Sequence, residues 1–227
     1  MHQSHTSGQT LQTRGRTINW AAGYDVLVGW MTLGKEPALR QMTVELAQVK
    51  PGDQVLDVGC GTGSLTIVAK RAAGPAGEVH GIDPAPGMIE LARRKATRAG
   101  AEVNFQVGLI EDIPFPEAKF DLVLSSLMLH HLPDDLKRKG FSEVHRVLKP
   151  GGRFVAVDFD PPTRKLVRYL AVLFFGHGML QSNLRALEAM LQAAGFVETQ
   201  TGKTRYELLA FLQGTASKNP AIVEEKT

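Results

Sequence analysis

Apolar and polar positions fall into short blocks along the chain, and the spacing within each block separates strands from helices. Val55, Leu56 and Val58 form a brief run rich in branched residues, broken at once by Gly59, Gly61 and Gly63. That pattern predicts a buried strand running into a glycine turn. Beyond the turn Leu65, Ile67, Val68 and Ala69 recur at helical spacing, with Thr62 or Ser64 placed to cap the new helix. The alternation continues through a strand at Glu78–Ile82, a helix at Pro86–Ala99 with Met88, Ile89, Leu91 and Ala92 inward, and strands at Val103–Val107 and Phe120–Ser126. A helix at Asp134–Val147, a turn at Leu148–Gly152, a strand at Arg153–Phe159 and a helix at Ser182–Ala194 follow. Phe196–Thr201 and Tyr206–Leu212 close the pattern as a strand pair. Ahead of the first strand, Leu39, Met42, Leu46 and Val49 mark one face of a helix over Glu36–Val49, stopped by Pro51-Gly52. Strands alternating with helices predict an α/β fold, and 227 residues suffice for one domain with helices on both faces of a sheet.

Two stretches depart from this rhythm. Between residues 18 and 33, Trp20, Tyr24, Val26, Leu27, Trp30 and Met31 crowd together, which predicts a helix that covers either the core or an active site. Between Arg164 and Leu180 the segment LVRYLAVLFFGHGML is almost wholly apolar, yet Arg168 and Gly176 interrupt it and it is too short to span a bilayer. A lid, a wall for a greasy substrate and an interfacial helix are the uses open to it, with burial in the core or in a homodimer as the plain alternative. The expected organisation is a flexible tail over 1–17, a domain over 18–213 with an N-terminal helical cap and a lid insertion near 163–181, and a polar tail over 214–227.

The chemistry gathers at strand ends. A glycine turn lets bare backbone and a helix N-terminus approach a ligand, and Asp57 adds a carboxylate that accepts from an amine. The second strand ends on Asp83, close to the roughly 20-residue distance at which an acid meets a ribose in nucleotide-binding βαβ units. Ser64 stands where the dinucleotide fingerprint wants its third glycine, which counts against a nicotinamide enzyme. The fourth strand opens onto the same crevice, and His130 and His131 follow it, as a base or substrate contact or as packing under the next helix. Nothing nearby completes a zinc site around them.

Composition narrows the classes. With 43% hydrophobic and 22% charged residues the balance is that of a globular protein. The net charge of +3 comes with no long basic block, and Arg93, Arg94, Lys95 and Arg98 read as the solvated face of one helix, so a nucleic-acid partner is not expected. Cys60 is the single cysteine, which excludes an internal disulfide and suits a cytoplasmic, reducing setting. The polar N-terminus lacks the apolar core of a secretory signal.

DVGCGTG, followed by GIDPAPGMIELAR, resembles the class I S-adenosylmethionine-dependent methyltransferases, and more closely their small-molecule and lipid-quinone branch. The likeness runs from about Tyr24 to Gln213 and includes AGYDVLVGW and the LKPGG turn. It implies a Rossmann-like three-layer sandwich around a seven-stranded, mostly parallel sheet with an antiparallel last strand. It implies S-adenosyl-L-methionine as cofactor, with Asp57, Gly59, Cys60, Gly61 and Gly63 facing its methionine part, Asp83 beside Pro84 on its ribose, and Met88 against adenine. Leu109 stands where the family carries an acid for the adenine amine. That contact is therefore expected from the amide of Ile110, with Glu111 or Asp112 as acceptor, and Ser125 completes the set. The implied partner is a small acceptor, apolar, aromatic or lipidic, methylated on an atom left open. An oxygen or carbon acceptor would call on His130 or His131 as base. A non-catalytic nucleotide-binding protein and a nicotinamide-dependent oxidoreductase are the alternatives.

Overall fold

Runs of branched and aromatic residues become the centre of a seven-stranded sheet in the computed structural model, which describes residues 13–15, 34, 36–160, 184–206 and 208–218. In chain order the elements are α1 (Glu36–Ala47), β1 (Gln54–Val58), α2 (Ser64–Ala73), β2 (Glu78–Asp83), α3 (Pro86–Arg98), β3 (Asn104–Val107), β4 (Phe120–Ser126), α4 (Asp134–Val147), β5 (Leu148–Phe159), α5 (Leu184–Ala193), β6 (Phe196–Lys203) and β7 (Leu209–Ala216). The strand order is β3-β2-β1-β4-β5-β7-β6. Strands β1 to β5 pair in parallel, and β7 runs antiparallel to both β5 and β6. This is the α/β sandwich expected, with the antiparallel ending.

Because successive side chains of a strand point to opposite faces, each central strand feeds two cores. On one side Leu56, Val58, Val123 and Phe154 pack with Phe141, Val144 and Leu191 of α4 and α5. On the other Val55, Leu122, Leu124 and Val155 pack with Val44, Ala47, Leu65 and Ala69 of α1 and α2. Phe120, Phe141 and Phe154 are fully buried, and each contributes roughly 1.5–3 kcal/mol by leaving water. From β1 the chain steps outward to β2 and β3, then returns to β4 on the other side of β1. At that switch the loops leaving β1 and β4 diverge, and a crevice opens between them.

Several boundaries differ from the sequence reading. Leu148–Gly152 is part of β5 instead of a turn: Leu148 pairs with Phe120, and the register shift before Leu122 absorbs Gly151, whose φ is 81°. Strand β7 runs on to Ala216, past the expected end at Leu212, because Leu212, Gly214 and Ala216 alternate inward. Helix α2 takes no hydroxyl cap: Gly63 is its N-cap, and the hydroxyls of Thr62 and Ser64 both accept from Lys95 Nζ, at 3.0 and 2.7 Å. Lys95 thus belongs to the glycine turn and not to a plain solvated face. Arg93 likewise reaches across, donating through Nη2 to the carbonyl of Phe105 at 2.6 Å. The helix expected over 18–33 and the apolar run at 163–181 lie outside the described residues. Among the described residues no helix is long and apolar enough to cross a membrane.

Candidate active site

The glycine turn is held by the strand beside it. Cys60 donates its amide to Ile82 O at 2.9 Å, and Gly61 donates to Asp83 Oδ2 at 3.0 Å. The other oxygen of Asp83 accepts from Ala85 N at 2.9 Å. Burial pushes the Asp83 carboxyl above its ordinary range, against the pull of these two amides. Gly59 has φ 69°, and a Cβ there would lie 2.3 Å from Met128 Cγ, so turn and crevice wall leave no room for a side chain.

In front of the turn lies a cleft with about 680 Å³ of empty space. Gly59 and Gly61 form its floor, Asp83, Pro84 and Met88 one wall, Gly108 to Glu111 a second, and Leu127, Met128, His131 and Leu132 the third. Thr13 and Gly15, from the stretch expected as a tail, close part of the rim. Thr13 Oγ1 donates to Glu111 Oε1 at 2.6 Å, and Arg14 pairs with Asp135. Of the two acids left open after β3, Glu111 faces the cleft. Asp112 is not part of that lining; its charge only adds to the hydrogen bond and charge of Glu143, the main cause of the raised Arg146 guanidinium.

Behind the turn a smaller cavity of about 280 Å³ shares Gly59 and Gly61 with the first and is lined by Arg40, Asp57, Cys60, Thr62, Ser64 and Ser126. Asp57 is fully buried and accepts from Thr66 Oγ1 at 2.6 Å. Loss of water raises its carboxyl to about 7, while Thr66 and the Arg40 charge pull the other way. Burial, then the charges of Asp57 and Asp83, push the Cys60 thiol well up, so it is an inert neutral group. The Arg40 guanidinium, on α1, donates to Ser126 Oγ at 2.7 Å and to Glu36 Oε1 at 3.0 Å. Sequence reasoning missed it. Its only signal was a charge flanked by Leu39 and Met42 on the apolar side of an amphipathic helix.

Three of the expected site residues, Gly63, Ser125 and His130, sit apart from both cavities. Gly63 is turned to packing: a Cβ there would meet Phe105 Cζ at 2.8 Å and Ala92 Cβ at 2.9 Å. Ser125, paired with Val58, has a buried hydroxyl oxygen without a hydrogen-bond partner among the described residues.

After β4 the chain turns sharply at Leu127, whose φ of 57° is unusual for a residue with a side chain, and whose amide is held by Val157 O at 2.9 Å. The turn throws Leu129–His131 into one turn of 3₁₀ helix at the carboxyl end of β5. There His130 Nδ1 lies 2.7 Å from Asp158 Oδ1, and its amide donates to Asp158 Oδ2 at 3.1 Å. The His130 and His131 rings lie 3.9 Å apart between centroids, tilted by 43°, and the His130 and Phe159 rings meet at 83° with centroids 4.9 Å apart. His131 borders the cleft, and His130 stands one layer behind it. Asp158 was not anticipated, although an acid in the otherwise apolar run Phe154–Phe159 was a readable anomaly.

The chain is similar to known proteins in sequence and in fold. Residues 55–152 match a family model described as a methyltransferase domain. Over 213 residues the chain is 35% identical to the demethylmenaquinone methyltransferase of Thermus thermophilus, covering 84% of this chain and 93% of that one. The chain belongs to the class I S-adenosylmethionine-dependent methyltransferases. The methyltransferase is also 34% identical over 219 residues to the demethylmenaquinone methyltransferase of Bacillus cytotoxicus, at 89% and 91% coverage. A solved S-adenosylmethionine-dependent methyltransferase from Aquifex aeolicus shares its fold, with a TM-score of 0.64 over 78% of this chain and 89% of that chain at 20% identity. Methyl transfer from S-adenosylmethionine to a small molecule is therefore the activity of this chain, and the nicotinamide alternative falls away.

Proposed function

We propose that this methyltransferase holds S-adenosylmethionine across both cavities and methylates a small apolar or aromatic acceptor. The observation that carries the reading is the pair of spaces joined at Gly59 and Gly61, one with opposite charges and one with an acid and apolar walls. A methionine end carries an ammonium and a carboxylate, and Asp57 and Arg40 are the matching ion types. Asp83, pinned by two amides, keeps lone pairs for ribose hydroxyls. Met88 and Ile110 offer apolar surface to adenine, and Glu111 an acceptor for its amine. When bound, the cofactor supplies an electrophilic methyl group on sulfur. What the chain adds is position and exclusion of water.

The acceptor reading rests on Leu127, Met128 and Leu132 along the third wall, where a polar acceptor would lose water without gaining partners. The relatives are named for demethylmenaquinone, an aromatic acceptor. His131, on that wall, and His130 behind it are the groups positioned to take a proton. Incubation with isotopically labelled S-adenosylmethionine and either reduced demethylmenaquinone or glycine tests the reading. Label in the aromatic product supports it, and label only in the amine overturns the acceptor class. Phe174→Ala and Phe175→Ala extend the test to the apolar run, which is known only from sequence. Lower acceptor turnover with unchanged cofactor affinity would assign that run to the acceptor, whereas unchanged turnover with a lower melting temperature would remove it from the site.

A further inference from the structure

The cavity behind the glycine turn is bordered by the hydroxyls of Thr62, Ser64 and Ser126, and each of them accepts from a cation. Lys95 Nζ donates to Thr62 Oγ1 at 3.0 Å and to Ser64 Oγ at 2.7 Å, while Arg40 Nη1 donates to Ser126 Oγ at 2.7 Å. Neither an ammonium nor a guanidinium has a lone pair to accept with, so no hydroxyl here can return its proton to the group that it accepts from. The hydroxyl protons are turned away from the cations, and the cavity is the space that the three side chains share. Lys95 itself is not part of the lining. It stands half-buried on the last turn of α3, 33 positions from Thr62 and 31 from Ser64, and its charge reaches the cavity through those two side chains.

We infer that Lys95 is a positioning residue for the carboxylate of the cofactor's methionine end: it holds the Ser64 and Thr62 hydroxyls as donors toward the cavity and sets a positive charge one side chain behind them. This deepens the proposed function and rests on its reading that S-adenosylmethionine is held across both cavities. A carboxylate accepts and cannot donate, so it gains from hydroxyls fixed in that sense and from the nearby charge. An end without a carboxylate gains little from either. Asp57, on the same lining, meets the ammonium of that end, so the cavity sorts the two charges of the amino-acid group. Without the Lys95 ammonium the Ser64 and Thr62 oxygens recover a lone pair, and the preference for a carboxylate falls.

The test is calorimetry on the full-length protein with two ligands, S-adenosylmethionine and its decarboxylated form, which keeps the adenosine, the sulfonium and the ammonium and lacks only the carboxylate. The wild type is expected to bind S-adenosylmethionine about tenfold or more tighter than the decarboxylated form, the size of a lost hydrogen bond to a charged group. Lys95→Met should lower the affinity for S-adenosylmethionine about tenfold and that for the decarboxylated form less than about twofold. Ser64→Ala leaves Lys95 bonded to Thr62 and should show the same selective loss at about threefold, so it decides the question if Lys95→Met does not fold. A loss shared equally by both ligands overturns the inference, because a lysine that only ties α3 to the glycine turn would weaken both. No loss for either ligand overturns it as well. A wild type that binds the two ligands equally overturns the inference alone and needs no variant, whereas a wild type that binds neither sinks the cofactor reading and the inference with it.

Discussion

Gly61 donates its amide proton to Asp83 Oδ2 at 3.0 Å, which ties the turn after β1 to the acid that ends β2. The contact fixes the carboxylate and the bare backbone as one surface, so losing the acid both removes a ligand contact and loosens the turn. Asp83→Ala is expected to weaken S-adenosylmethionine binding by about 1.5–3 kcal/mol, the usual range for hydrogen bonds to a charged group. Isothermal titration calorimetry measures it, and an unchanged affinity in a folded variant would remove Asp83 from the cofactor site.

Asp57 gives a dependence on pH. Its folded-state value of about 7 lies above the ordinary 3.8, so folding favours the protonated acid. That contribution is fully present below the ordinary value and is lost as pH rises through about 7. Asp57→Asn escapes the loss. Without cofactor the variant should melt no lower than the wild type at pH 8, with the two converging only below about pH 4. Binding of the cofactor's ammonium needs the ionised acid, so wild-type affinity should rise between pH 6 and pH 8 while that of Asp57→Asn stays flat. A variant that is less stable than the wild type at pH 8 would contradict the raised value.

Arg40→Met separates the two ends of the cofactor. Affinity for S-adenosylmethionine should fall about tenfold or more, since a charge-assisted contact is lost. Affinity for methylthioadenosine, which lacks the amino-acid end, should hold. Equal losses for both ligands would mean that Arg40 acts by shaping the cavity and not by pairing with a carboxylate.

Gly63 predicts a cost in stability. Alanine there must displace Phe105 and Ala92 and keep φ at 77°, which together should cost roughly 1–3 kcal/mol. Denaturant unfolding reads the change. A loss of less than about 0.5 kcal/mol would show that the contact with α3 and β3 yields easily.

Local pattern was enough for much of the architecture. The β1 run Val55–Val58 and the β4 run Phe120–Ser126 were legible because a buried parallel strand must be apolar on both faces. Asp57, the glycines and Asp83 were legible because they lie on one strand-turn-helix unit and its neighbour, within about 25 residues, where spacing alone carries geometry. The turn at Leu148–Gly152 was misread since proline and glycine there signal a turn locally, while pairing of Leu148 with Phe120 extends the strand.

Other parts had no local signature. Arg40 stands 86 positions from the Ser126 hydroxyl it donates to, and His130 stands 28 positions from Asp158. Neither pair is marked by periodicity, because each depends on which helix or strand ends meet after the sheet has ordered itself. By itself the sequence determined the strand-turn-helix order, the apolar faces and the acids at the ends of β1 and β2, all of which follow from contacts between near neighbours. Only the tertiary structure decided that Arg40 faces Asp57, that Thr13 reaches Glu111 and that Asp158 holds His130. Those contacts exist because strand order brings distant segments to one edge of the sheet, where burial makes an unpaired charge too costly to leave alone.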